Sequence, residues 1–281
     1  MKKILVLCLT FVMAMSAFAG CGAKEAVTAK VIDIELTSED YAFGVDKTQP
    51  ELLEKTNAFI AEIKANGTFE EICNKYFGDG TPTAVTSAKE DSSKDQLVVA
   101  TNAAFEPFEY MEGENYLGID MEIAALLAEY LGKELVIQNM DFDAVCLAVG
   151  QQKCDIAMAG LTINTEREEF VTFTDSYYSA SQKLIVTSDN TEFDACADVA
   201  AVEAILNGKD DKVKVGVQTG TTGQLYCEGD ADWGFTGYGM TTVGYKNVSL
   251  AVQDLLNGNI QYVIIDSAPA ACITEAINAL Q

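Results

Sequence analysis

The sequence predicts an α/β protein of two lobes, each a mainly parallel sheet flanked by helices. Three observations carry this. Short runs of buried-strand composition, such as "QLVVA" (96–100), "KVKVGVQ" (212–218) and "IQYVIID" (260–266), alternate with segments of helical period. The alternation occurs twice, once before and once after about residue 190. A chain of 281 residues is also long enough to bury two modest cores.

The first block opens with "QLVVA" and a loop, "TNAAFEPFEYMEGENYLG" (101–118). A helix, "IDMEIAALLAEYLG", follows and ends at Gly132, a natural C-cap. Next come a strand (133–140), a helix (141–152) and a strand, "CDIAMAG" (154–160). "NTEREEF" opens a further helix, with Thr165 and Glu168 at capping-box spacing, and "QKLIVTS" (182–188) is a strand. The second block reads as helix (197–208), strand (212–218), a Gly/Thr turn into a helix (219–227), helix (248–258), strand (260–266) and helix (268–280). Ahead of both lie strands at 31–36 and 42–45 and helices at 50–64 and 68–77. Residues 79–95, "DGTPTAVTSAKEDSSKD", have linker composition. Ligands of such sheets bind where the strands end, so the loops after "VVA", "AMAG", "GVQ" and "VIID" are the candidate site.

The first twenty residues have a short basic start at Lys2 and Lys3, an apolar run and small residues before "SAFAGC". This predicts a lipoprotein signal peptide, with Cys21 as the lipidated N-terminus, although Phe18 stands where the usual lipobox has Leu. A formal charge of −25 argues against nucleic acid and anionic membranes as partners. Cys73, Cys146, Cys154, Cys196, Cys227 and Cys272 form no CxxC pair, and several lie in apolar patterns, so buried thiols are expected, with bridges left open. There is no His, which removes Ser-His-Asp and Cys-His chemistry and zinc sites of the usual spacing; no metal, cofactor or catalytic group is expected.

Arg167 is the only arginine among eighteen basic residues. A guanidinium differs from an ammonium in gripping a carboxylate with two parallel hydrogen bonds, so a lone Arg just after a strand points to a geometric need. The plain alternative is a surface residue balanced by Glu166, Glu168 and Glu169.

"AMAGLTINTERE", together with "VVATNAAFEPFEY", "LGIDMEIAALLAEYLGKEL", "MDFDAVCLAVGQQKCDIAMAG", "FTDSYYSASQKLIV", "VGVQTGTTG" and "AVQDLLNGNIQYVIIDSAPA", resembles family 3 bacterial solute-binding proteins over most of 96–270. These are the amino-acid receptors of ABC importers, and the resemblance is strongest to binders of glutamine and other polar amino acids. It implies the two-lobed periplasmic-binding-protein type II fold. It implies that Arg167 and Thr162 hold the ligand α-carboxylate, with backbone groups of Gly160 and the turn at Gly220, Thr221 and Thr222. Asp266 would take the α-ammonium, Phe105 and Phe142 would sandwich the ligand, and Asn102 and Gln218 would reach its side chain. Asn102, Gln218 and Ile265 depart from the Asp, Lys and His of the glutamine binders, which puts glutamine itself in doubt. Asp120, Glu106 and Glu109 would favour a cationic side chain unless they are solvated, and the reading leans to a polar, neutral amino acid. Read singly, the two phenylalanines fit a core, and Asp266 fits a helix N-cap.

In the family, "IIDSAPA" leads to a last strand, a return crossing and two closing helices. Here that piece stands at residues 30–78, ahead of the block it should follow. The expectation is therefore a circular permutation, with a fusion remnant of a neighbouring gene and an assembly error as the rival readings. Residues 1–20 would be the lipoprotein signal peptide, 21–29 a tether, 30–40 the permuted strand of lobe II, and 41–78 the permuted hinge strand and closing helices of lobe I. Residues 79–95 would be the linker, 96–186 lobe I and 187–281 lobe II. The expected function is an extracytoplasmic, lipid-anchored, monomeric receptor that is not an enzyme. It would capture a polar L-amino acid between its lobes and deliver it to an ABC transporter permease. A ligand-sensing subunit and a same-fold secreted enzyme are the alternatives.

Overall fold

The computed structural model describes residues 27–280; Cys21 and the expected signal peptide lie outside them. The described chain starts in the second lobe with β1 (Ala29–Ile32) and crosses through β2 (Glu39–Tyr41) into β3 (Gly44–Asp46) of the first. There it forms α1 (Pro50–Ala65), α2 (Thr68–Phe77), β4 (Gln96–Thr101), the hairpin β5 (Tyr110–Glu112) and β6 (Asn115–Leu117), α3 (Ile119–Leu131) and β7 (Glu134–Asn139). A 3-10 turn, Phe142–Ala144, runs into α4 (Val145–Gly150), then come β8 (Ile156–Ala157), α5 (Thr165–Glu168) and β9 (Val171–Phe173). The chain returns through β10 (Tyr178–Ala180) and builds β11 (Gln182–Thr187), α6 (Val199–Asn207), β12 (Lys214–Gln218), α7 (Thr222–Glu228), β13 (Thr241–Tyr245), α8 (Val248–Leu256), β14 (Tyr262–Asp266) and α9 (Ser267–Asn278).

The two sheets repeat one plan. Their orders are β7-β4-β8-β3-β9 and β13-β12-β14-β11-β1. In each, the first three strands are parallel, the fourth is antiparallel to them, and the fifth reverses again. Four strands therefore run one way, and the opposed one is the strand that has just crossed from the other lobe. β2 and β10 pair antiparallel with Tyr178 opposite Tyr41, so the crossings form one ribbon between the lobes. β11 belongs to the second sheet, which places this crossing at 178–182, ahead of residue 187.

β14 is buried at all five positions and alternates faces. Tyr262 and Ile264 pack with Val202, Leu206 and Val215, whereas Val263 and Ile265 pack with Val252, Leu255 and Ala270. Helices on both faces explain why the strand reads as an unbroken apolar run. The loop at 101–118 closes on Gly118, whose φ is 122° and whose missing Cβ would lie 2.0 Å from the Phe108 carbonyl oxygen, so only glycine fits.

Local boundaries differ from the sequence expectation where hydrogen bonds leave the sheet. The strand expected at 31–36 ends at Ile32, because Leu36 N–H donates to the Gln182 carbonyl beyond a bend. The strand expected at 42–45 is broken at Ala42 and Phe43, whose N–H groups go to the Leu161 carbonyl and the Thr174 hydroxyl. α5 is capped by Asn164 and not by Thr165. The extended backbone of Asn164 lets its Oδ1 accept from Arg167 N–H at 2.8 Å.

Residues 79–95 are strapped to the first lobe. Val85 exchanges both backbone hydrogen bonds with Tyr116, and Ala88 N–H donates to Leu135. All six described cysteines are free thiols, with Cys146, Cys154 and Cys227 buried.

α2 is fastened to α3 through Glu122, whose carboxylate accepts from Lys75 Nζ (2.5 Å), the Tyr76 hydroxyl (2.8 Å) and Thr83 N–H (2.8 Å). Glu122→Ala removes the acceptor and leaves three donors short of a partner in a half-buried joint. It should cost about 3 kcal/mol in chemical denaturation.

Candidate binding site

Asn102, Phe105, Gly160, Gln218 and Asp266 lie at or just after strand ends of the two sheets, whereas Glu106 lines a separate open groove with Tyr110, Met111 and Ile277. Asn102 follows β4, and Gln218 is the last residue of β12. Gln218 Nε2 donates to Asn102 Oδ1 at 3.0 Å, and Asn102 Nδ2 donates to the Met140 carbonyl at 2.7 Å. Phe105 stands over Gly160, where a Cβ would lie 3.1 Å from the Phe105 ring and 3.3 Å from the Tyr41 ring, at a φ of +53°. Glycine is therefore required here by backbone and by space, and its N–H is given to Asp120 Oδ2 at 2.9 Å.

Arg167 is buried and spans the lobes. Nη1 donates to the Thr162 carbonyl at 2.7 Å and Nη2 to the Gly220 carbonyl at 2.9 Å. Its guanidinium lies 5.1 Å from the centre of the Phe142 ring, a cation–π distance. Arg167, Phe142 and Gly220 share a cavity of about 90 Å³ with Cys146 and Leu161. An open groove of about 660 Å³ between α2, residues 83–86 and α3 holds none of the predicted residues. The Thr221 hydroxyl turns back onto the Gln218 carbonyl (2.8 Å), and the buried Thr222 hydroxyl has no partner among the described residues.

Asp266, at the end of β14, is the N-terminal neighbour of α9 but does not cap it with its side chain. Its Oδ2 instead accepts from the Tyr41 hydroxyl at 2.5 Å. Burial and the charge of Glu39 push the Asp266 carboxyl up to about 7, partly offset by Tyr41 and Gln182. Asp120 is likewise raised to about 7 by burial, against hydrogen bonds from Gly160 N–H and the Tyr177 hydroxyl. Glu109 is fully buried with neither oxygen partnered among the described residues, and burial together with Asp120 and Asp266 drives its carboxyl well above the ordinary range.

Sequence reasoning missed Glu39, Gln182 and Tyr177, and it gave Tyr41 only a backbone role. Glu39 accepts from Thr162 Oγ1, Gln182 Nε2 and Thr37 Oγ1. No sequence signal singles them out: "TSEDYAF" reads equally well as an exposed acidic turn, and Glu39 shares the inward face of Tyr41 only once β2 has formed.

Residues 97–267 match the model of the bacterial extracellular solute-binding proteins, family 3. The chain is 30% identical to the arginine-binding extracellular protein ArtP of Bacillus subtilis over 191 residues, which cover 68% of each. Among solved structures it is similar to an ancestral arginine-binding protein bound to arginine, at 31% identity and a TM-score of 0.55, covering 65% of this chain and 75% of that one. An ancestral amino-acid-binding protein, a precursor of cyclohexadienyl dehydratase, is similar at 29% identity and the same TM-score, with the same coverage.

Raised carboxyl groups set a sign for stability against pH. The folded chain holds protons on Asp120 and Asp266 up to about 7, whereas the unfolded chain releases them near 3.8. Their contribution is thus full below the unfolded value and lost as pH rises through about 7. Thermal unfolding should fall in midpoint between about pH 5 and pH 8, and Asp120→Asn should flatten that slope.

Proposed function

Because the chain belongs to the bacterial extracellular solute-binding proteins, family 3, we propose that it is an extracytoplasmic receptor. It captures a polar L-amino acid between its two lobes and delivers it to the permease of an ABC transporter. The observation that carries this is a buried guanidinium and a buried carboxyl, Arg167 and Asp266, at strand ends of opposite lobes. A zwitterion that leaves water loses hydration at both charges, and each must be met by an opposite charge or by hydrogen bonds. Arg167 meets the α-carboxylate, with Thr221 and Thr222 on the facing lobe, and Asp266 meets the α-ammonium. Phe105 and Phe142 flank the aliphatic part, and the amides of Asn102 and Gln218 face the side-chain end.

Arginine leads the candidate ligands. It is what the similar ArtP protein is named for, and Glu109 and Asp120 bring carboxyl groups to the same region. A ligand held by both lobes stabilises their closed arrangement, which is what a permease can read. Binding proceeds without turnover, and lipid on Cys21 holds the receptor at the membrane.

The chain order is a circular permutation of the family plan. Two things support this. β1-β2-β3 and β9-β10-β11 occupy equivalent places in the two sheets, so residues 29–46 are integral to both lobes. The family match nevertheless begins only at residue 97.

Two experiments test these statements. A thermal-shift screen of the twenty amino acids should give a clear shift with a polar one, arginine first. Arg167→Lys should then weaken that ligand about a hundredfold, through loss of the planar fork; unchanged affinity would refute the carboxylate assignment. Moving residues 30–78 behind residue 280, with a short joint, should leave fold and ligand intact. Deleting them should abolish both, and a deleted chain that still binds would rule out the permutation.

A further inference from the structure

We propose that this receptor exchanges a proton for its ligand. As the α-ammonium reaches Asp266, the carboxyl gives its proton to solvent and an ammonium–carboxylate pair takes its place. The inference rests on the amino-acid reading above and adds to it a dependence of capture on pH.

Hydrogen-bond donors decide which buried carboxyl can stand ionised. A carboxylate offers only lone pairs, so out of water it needs several N–H or O–H groups turned toward it. Glu39 has three, from Thr162 Oγ1 at 2.7 Å, Gln182 Nε2 at 2.9 Å and Thr37 Oγ1 at 2.6 Å. Asp120 has two, from Gly160 N–H and the Tyr177 hydroxyl. Asp266 has the Tyr41 hydroxyl at 2.5 Å and a share of the Gln182 amide that also serves Glu39. Glu109 has none among the described residues.

Positive charge is missing as well. The groups facing Asp266 are Glu39 and Tyr41 on β2, Tyr178 on β10, Gln182 on β11 and Glu109 on the loop after β4. Behind Glu109 stand Asp120 on α3 and Tyr177 just ahead of β10. No lysine or arginine forms an ion pair with Glu39, Asp266, Glu109 or Asp120 among the described residues. Arg167 is bound to the Thr162 and Gly220 carbonyls instead. Acids gathered without a cation keep protons, and burial with the charge of Glu39 holds that of Asp266 up to about 7.

An amino acid brings the cation that the cluster lacks. A protonated carboxyl could meet the ammonium only as a neutral acceptor and would leave a buried charge uncompensated. The O–H bond at Asp266 therefore breaks, its electron pair stays on the carboxylate, and the proton passes to water and buffer. No bond of the ligand changes. Glu109 has no donor for a charged form and keeps its proton, so one is released per ligand. Below about 7 that release opposes binding, and affinity falls about tenfold per pH unit; above about 7 it levels off.

The test is calorimetric titration of L-arginine into the full chain, in buffers of different ionisation enthalpy. Another amino acid takes its place where the thermal-shift screen selects one. At pH 5.5 the observed enthalpy should follow the buffer with a slope of about one proton released. At pH 8 the slope should be near zero, and affinity about thirtyfold tighter. Asp120→Asn and Glu109→Gln should keep the slope at pH 5.5. A wild-type slope of zero there, or a slope lost in either variant, overturns the inference. If the variants do not fold, infrared difference spectra of the wild type decide. Ligand added at pH 5.5 should remove a protonated-carboxyl band that shifts with 13C-aspartate labelling; a band that stays, or that shifts only with 13C-glutamate, overturns it. A wild-type chain that shifts with none of the twenty amino acids ends the receptor proposal and this one together. Binding with an enthalpy that no buffer alters ends this one only.

Discussion

The pairing of β2 with β10 is the constraint on which the rest of the molecule depends. Each strand feeds the opposed strand of the sheet it enters, β3 in one lobe and β11 in the other. The ribbon is therefore both the link between lobes and the source of a structural strand for each. Its inward face cannot be apolar throughout, because it looks onto strand ends whose backbone groups and acids need partners. Tyr41 and Glu39 answer that need with a phenol for Asp266 and a carboxylate for Thr162 and Gln182. Small rotations about such a ribbon move whole lobes, so side chains on it sense closure directly.

Much of this was legible in the sequence. The alternation of strands and helices appears because β14, β12 and β4 are covered on two faces and must be apolar nearly throughout. Arg167 was legible by its rarity, and Gly160 by its motif. What escaped was chemistry carried by residues with several ordinary uses. Glu39 lies in "TSEDYAF", which reads equally well as an exposed acidic turn, and only the contact with Thr162, 123 positions away, gives it meaning. The N-cap of α5 escaped for a similar reason. Asn164 and Thr165 are both capping residues, and the extended backbone at Asn164 decides between them.

The segment at 79–95 shows where composition misleads. Ser, Thr, Asp and Lys read as a solvated connection, and by length the segment could reach across the lobe without touching it. It instead borrows the edge formed by β6 and β7. Val85, its one buried apolar residue, exchanges two backbone hydrogen bonds with Tyr116, and Ala88 donates to Leu135. One apolar side chain is enough to choose a path when backbone groups along that path are free. The consequence for chain order is direct: a strapped connection leads the chain from α2 to β4 along a fixed path, without the entropy of a loose loop.

Charge is distributed with the same economy. The chain carries 43 acidic and 18 basic residues, and it places its single guanidinium at the junction of the lobes. Lysines lie on the surface and pair with exposed acids at Asp33, Asp95, Glu134 and Asp194. Such pairs contribute little to stability and are screened by salt. Arg167 is different in kind, because its two carbonyl contacts come from opposite lobes and its face rests on Phe142. Ammonium could neutralise a carboxylate there, but it could not hold the Thr162 and Gly220 carbonyls at fixed directions and also present a flat face to a ring. The acids near the ribbon, Asp266, Glu109 and Asp120, are buried and hold protons toward neutral pH, so the guanidinium is the fixed charge of the junction. Under the proposed reading an amino acid would turn its carboxylate toward Arg167, and only a planar fork could take that carboxylate without releasing both carbonyls.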